Sequence, residues 1–163
     1  MESHQLRDKA LKAIDETAFY PSKGKERLKS MIETRPDWCV SRQRVWGVPL
    51  PIFVSKKTKE ILVDEEVIEN IASIYEKEGS DCWFSDNPQR FLGEKYSAKE
   101  YEKLSDIVEV WFDSGSTHSF VLEKREDLKW PASMYLEGSD QHRGWFHSSL
   151  LESCGTRGRA PFE

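Results

Sequence analysis

The chain has 163 residues, 37% of them hydrophobic, 33% charged and 12% aromatic, including six Trp. That much large apolar surface excludes a disordered chain, and the length suits one domain or two small subdomains. A net charge of −5 excludes a global basic field for nucleic acid, and no apolar run approaches membrane-spanning length.

Residues 5–18 place Leu6, Ala10, Leu11 and Ile14 at helical spacing, which predicts an opening amphipathic helix. A second helix is predicted over 23–34, stopping before Pro36 because a residue preceding proline avoids the α region. Trp38–Val40 reads as a short buried strand, and Gly47, Pro49 and Pro51 as punctuation of a loop. Ile52–Val54 and Ile61–Val63 flank a polar stretch and read as a hairpin. Val67, Ile68, Ile71, Ile74 and Tyr75 share a helical face, with Gly79 as the stop. Residues 80–105 are rich in turn formers, with Trp83, Phe84, Phe91 and Tyr96 as expected packing anchors. Ile107–Phe112 and Met134–Leu136 read as buried strands, each running into a polar, glycine-containing turn. Helical spacing then resumes at Trp145 and should break at Gly155. Strand, turn and helix is the unit of an α/β fold.

Three isolated cysteines, Cys39, Cys82 and Cys154, fit reduced cytoplasmic thiols better than a disulfide frame. His118, His142 and His147 add no metal-ligand spacing, so no metal site is expected. The opening Met-Glu-Ser-His-Gln lacks the basic and apolar regions of a signal peptide.

In an α/β sheet, ligands bind beyond the carboxyl ends of strands, where helix N-termini expose N–H groups. The turn Glu137-Gly138-Ser139-Asp140-Gln141-His142 fits that description. Gly138 would let a ligand approach the backbone, and Glu137 and Asp140 could accept hydrogen bonds from vicinal hydroxyls. Gln141 and Trp145, four residues apart, would share a helix face. A plainer reading stands beside it: Ser139 and Asp140 only cap, Glu137 is solvated and Trp145 is core. Asp113 with Asp140 as an acid–base pair, or a nucleophile at Ser114 or Ser116, has less to recommend it, since no supporting pattern surrounds them.

Three stretches taken together resemble one family. WCVSRQRVWGVPLP (38–51), VEVWFDSGSTHS (108–119) and YLEGSDQHRGWF (135–146) look like the late catalytic domain of isoleucine–tRNA ligases, in order and in spacing. The resemblance implies an enzyme that activates isoleucine with ATP, normally with Mg2+, and transfers it to tRNA. It implies ribose contacts from Glu137, Gly138 and Asp140 and an amino-group contact from Gln141. Trp111 and Trp145 would wall the aliphatic pocket, His142 would approach the nucleotide or orient the residues that do, and Arg42 and Arg44 could meet tRNA phosphate or brace a junction. Arg143 is expected to pair with a carboxylate.

By the same resemblance the fold is α/β, the C-terminal half of a Rossmann-like nucleotide-binding domain with a small α+β connective insertion. Residues 1–34 correspond to a helical return from the editing insertion and 35–54 to re-entry into the catalytic domain. Residues 55–104 correspond to the connective insertion and 105–163 to the second Rossmann half. No His-Ile-Gly-His-like motif occurs and no Lys-Met-Ser-Lys-Ser loop follows Phe162, so an internal fragment, inactive alone, of a cytoplasmic and monomeric enzyme is expected. A valine or leucine ligase fragment, or a catalytically dead nucleotide- or RNA-binding module, is the alternative.

Overall fold

A computed structural model describes residues 1–163, the side chain of Ser3 excepted. After a 3-10 turn at Ser3–Gln5 come α1 (Leu6–Glu16), α2 (Lys23–Glu33), β1 (Ser41–Arg42) and β2 (Phe53–Ser55). There follow α3 (Glu65–Glu78), α4 (Cys82–Ser85), α5 (Pro88–Leu92), β3 (Tyr101–Lys103) and β4 (Ile107–Val108). The last part holds α6 (Val110–Gly115), a π turn (His118–Leu122), a 3-10 turn (Ser139–His142) and α7 (Trp145–Arg157). Two compact units result: Met1–Val40 with Val110–Glu163, and Ser41–Glu109.

The first unit is helical. The apolar spacing anticipated for α1 and α2 buries Ala10, Ala13, Ile14, Leu28 and Ile32 against Leu150, Leu151 and Cys154 of α7. Each fully buried leucine or isoleucine contributes roughly 1.5–3 kcal/mol. Arg7 of α1 donates from Nη1 to the carbonyls of Ile32 and Glu33 and from Nη2 to that of Arg35, so one guanidinium satisfies carbonyls that the end of α2 leaves open. α7 is enclosed, with every residue from His147 to Cys154 buried. Gly115 lets α6 lie close on it: an added Cβ would stand 2.1 Å from Glu152 Oε1 and 2.9 Å from Ser148 Oγ.

The second unit has its own core of Phe53, Val67, Ile71, Ile74, Trp83, Phe91 and Leu92. Asp64 caps α3 by accepting from the Val67 N–H at 3.3 Å, and Gly79 ends it with φ +82°. β2 pairs antiparallel with β3, Phe53 opposite Lys103. β1 pairs antiparallel with β4, Ser41 opposite Val108.

Several expectations are corrected. Trp38–Val40 is neither strand nor buried; the chain first pairs at Ser41. The hairpin forms in short: Val54 bridges Ile61, the Ser55 N–H donates to the Glu60 carbonyl and the Leu62 N–H to that of Phe53, and the other edge of β2 pairs with β3. Phe84 is 47% exposed while Trp83 and Phe91 are buried, since adjacent residues of a helix point about 100° apart. The run at Ile107–Phe112 is a strand only as far as Val108, and Val110 onward is helix. Met134–Leu136 belongs to no strand, its Met134 and Leu136 70% and 81% exposed. A strand needs a neighbouring backbone to bond, and among the described residues these segments have none. Gly155 stays helical, and α7 ends instead at left-handed Gly158. The class is therefore mixed helices with small sheets. Both sheets are antiparallel, and the parallel contact described is an isolated bridge, Ala132 to Phe162.

Candidate functional site

The turn before α7 organises the site. Gly138 is extended (φ −66°, ψ 160°) and opens the 3-10 turn Ser139–His142. An added Cβ there would lie 2.6 Å from Asp140 Oδ1, so glycine keeps the backbone clear beside that carboxylate. Neither Ser139 nor Asp140 caps α7, contrary to expectation. Gln141 does: its side-chain Oε1 accepts from the Trp145 N–H at 3.0 Å. Its Nε2 donates to Asp140 Oδ2 at 3.0 Å. The amide is thereby fixed in orientation, and the oxygen keeps a second lone pair for another donor. Glu137, Gly138 and Asp140 are exposed on this turn, and Gln141 is half-buried.

The two tryptophans meet Gln141 around Gly144. A Cβ on Gly144 would lie 2.6 Å from Gln141 Oε1 and 2.9 Å from the Trp111 ring, so Trp111 closes down over bare backbone. Trp145 donates from Nε1 to the Ser114 carbonyl at 3.1 Å. Its indole lies flat on Tyr135, with centroids 4.1 Å apart and planes 5° apart. Trp111 is 41% exposed. Two indoles, one oriented amide and the Asp140 carboxylate bonded to it therefore meet within the first unit, with solvent-facing Glu137 on the same turn. Such a surface can hold a branched alkyl group by its aromatic walls and fix polar groups at its rim.

His142 is buried, its Nδ1 2.7 Å from the Ser139 carbonyl and its ring edge-on to Phe146. This contact ties the imidazole to the turn. Arg143, expected to pair, makes no ion pair among the described residues. Arg42 and Arg44 belong to the second unit. Arg42 donates to the Ser41 carbonyl at 2.8 Å and lies 4.0 Å from the buried Glu109 carboxylate. Arg44 is exposed beside Val45 and Trp46, themselves 103% and 78% exposed. Gly144 and Tyr135 are the residues that sequence reasoning missed. A glycine directly before the Trp of an apolar helix was the available signal for the first.

Burial shifts nearby groups. The His147 imidazole is pushed down to about 4, chiefly by burial and then by the positive charges of Arg35 and Arg143. Burial, with the Glu152 charge, raises the Tyr135 hydroxyl to about 12, and burial raises the Cys154 thiol to about 12. A cleft of about 440 Å³ lies between Thr17–Arg27 and the stretch at Ser133–Ser139. Another of about 640 Å³ is lined by Trp38, Phe112, His118 and Glu152. Among the described residues no group of three His, Cys, Asp or Glu side chains could hold a metal ion. No helix is long and apolar enough to cross a membrane.

The family model for class I tRNA synthetases (I, L, M and V) matches residues 1–163. The chain belongs to that family. It is 85% identical over all 163 residues to the isoleucine–tRNA ligase of Pelagibacter ubique (strain HTCC1062), covering 18% of that protein. It is 62% identical over 158 residues to the isoleucine–tRNA ligase of Brucella abortus biovar 1 (strain 9-941), covering 16% of it. To that of Caldicellulosiruptor bescii it is 54% identical over 162 residues, covering 18%. The chain thus spans less than a fifth of the length of these curated relatives. As a class I synthetase segment it carries the Trp111, Gln141 and Trp145 cluster on residues of one unit.

Proposed function

We propose that this chain forms the amino-acid and ribose side of the adenylate-forming site in an isoleucine–tRNA ligase. The observation that carries the reading is the convergence of Trp111, Gln141 and Trp145 on Gly144, beside exposed Glu137 and Asp140. In this reading Trp111 and Trp145 enclose the isoleucine side chain. Gln141 accepts from the substrate ammonium on the lone pair that Trp145 leaves open, and Asp140 adds negative charge nearby. Glu137, Gly138 and Asp140 hold the ribose of ATP and then of the adenylate, the carboxylates accepting from its hydroxyls and the glycine admitting them. His142 anchors the turn and approaches the nucleotide. With the carboxylate and α-phosphate presented together, attack forms isoleucyl-adenylate and releases pyrophosphate, and the acyl group then passes to tRNA. Positioning is the contribution of these residues. Mg2+, normally used with ATP in such enzymes, would supply charge neutralisation at the phosphates, and no group of three His, Cys, Asp or Glu side chains is placed to hold it among the described residues.

The wider organisation belongs to the same proposal. Residues 1–34 return from an editing insertion and 35–54 re-enter the catalytic domain. Residues 55–104 form a connective insertion, and 105–163 form the second half of a Rossmann-like domain. Met134–Leu136, apolar, exposed and without a ladder among the described residues, is suited to pair with a strand of the other half. Arg42 and Arg44 offer charge to tRNA phosphate. The intact enzyme acts as a cytoplasmic monomer, and this segment alone does not catalyse.

Isoleucine-dependent ATP–pyrophosphate exchange by the full-length ligase carrying this segment tests the reading. Trp145→Ala should raise the KM for isoleucine about tenfold or more, the scale of apolar-pocket discrimination, with the KM for ATP little changed. An unchanged isoleucine KM would remove Trp145 from the pocket and the reading with it.

A further inference from the structure

Trp145 is held on more than one side. Its backbone N–H goes to Gln141 and its indole N–H to the Ser114 carbonyl, while one whole face of the ring is covered by Tyr135 at 4.1 Å and 5°. Aromatic pairs favour offset-stacked or edge-on arrangements, and Tyr135 meets its other neighbours tilted or edge-on, at 62° to Phe162 and 36° to Phe146. Only toward Trp145 does it present a parallel face. The tyrosine is itself locked in place, half-buried, with its hydroxyl enclosed and without a hydrogen-bond partner among the described residues. A phenol with a bonded hydroxyl could be explained by that bond; this one is explained by its ring. A flat backing on one face fixes the plane of the indole, and Trp145 stays only half-buried.

We propose that Tyr135 is a positioning residue for amino-acid specificity: by stacking on Trp145 it sets the width of the aliphatic slot without touching substrate. The inference rests on the reading that Trp145 walls an isoleucine pocket. A slot of fixed width discriminates between isoleucine and valine because the smaller side chain leaves a gap, whereas an indole free to shift closes that gap. Specificity therefore depends on what stands behind the indole as well as on the indole.

The test uses the full-length ligase carrying this segment, with kcat/KM for isoleucine and valine measured by ATP–pyrophosphate exchange. Tyr135→Met keeps a bulky apolar filler and removes the flat ring. Tyr135→Phe keeps the ring and removes the hydroxyl. The expected result is an isoleucine-to-valine ratio lowered about tenfold in Tyr135→Met, within the roughly 10–200-fold range available to such a pocket. The loss should fall on the amino-acid KM, with the KM for ATP unchanged, and Tyr135→Phe should retain the wild-type ratio. A wild-type ratio in Tyr135→Met, or an equal loss in Tyr135→Phe, would overturn the proposal. Trp145→Ala separates the two ideas. If it lowers the ratio and Tyr135→Met does not, this inference alone fails; if neither variant changes isoleucine activation, the pocket reading falls as well.

Discussion

His147 sits in the first turn of α7 at 4% exposure, with neither ring nitrogen bonded among the described residues. Burial, reinforced by Arg35 and Arg143, brings its pKa from an ordinary 6.5 to about 4. In the unfolded chain the imidazole takes up a proton as the pH falls through 6.5; in the folded chain it does so only near 4. Between those values the unfolded state binds more protons, so stability is full above pH 6.5 and is lost progressively as the pH falls toward 4. A shift of this size is worth about 3 kcal/mol, a large share of the roughly 5–15 kcal/mol that holds a domain together. Buried His118 is displaced in the same direction, again mainly by burial, and adds to the same acid limb. Replacing His147 by leucine removes the titration and two unsatisfied nitrogens at similar volume. Urea unfolding of the chain and of His147→Leu, at steps from pH 7.5 to 4.5, would read the effect. The variant should be at least as stable as the parent at pH 7.5, and its advantage should widen by about 2–3 kcal/mol toward pH 4.5. Parallel pH profiles for the two proteins would refute the reasoning.

Two further substitutions probe each unit by itself. Gly115→Ala drives a methyl group to 2.1 Å from Glu152 Oε1 and should cost about 1–3 kcal/mol by overpacking α6 on α7, measured as a lowered urea midpoint. Trp83→Ala removes a ring that is 1% exposed and packs on Phe53 and Phe91 at 5.1 and 5.0 Å. It should cost about 3–5 kcal/mol and speed amide exchange in Ser41–Glu109, while the core amides of α1 and α7 keep their protection.

The helices were legible where apolar residues recur at helical spacing. α1, α2 and α3 follow their spacing, and Gly79 stops α3 as its position suggests. What the sequence could not reveal was partnership. Ile107–Phe112 is a uniform apolar run, a pattern shared by buried strands and buried helices. It divides only because Ile107 and Val108 meet β1 while Gly115 lets the next turn nest on α7. The site was read in part. Glu137, Gly138, Asp140, Gln141, Trp111 and Trp145 were named from motifs, and the last three meet around one glycine. The cap supplied by the Gln141 side chain and the stack of Tyr135 on Trp145 are tertiary contacts, and spacing carries no signal for either.

The central claim, that Trp111, Gln141 and Trp145 of this segment form the isoleucine-binding side of the site, is tested most directly by calorimetry. The full-length ligase carrying this segment would be titrated with a non-hydrolysable isoleucyl-adenylate analogue and with its valyl counterpart, with Trp145→Ala as the control. Binding that favours the isoleucyl compound, with that preference lost in Trp145→Ala, is the result the account predicts. Equal binding of the two compounds, or a preference that survives in Trp145→Ala, would contradict it.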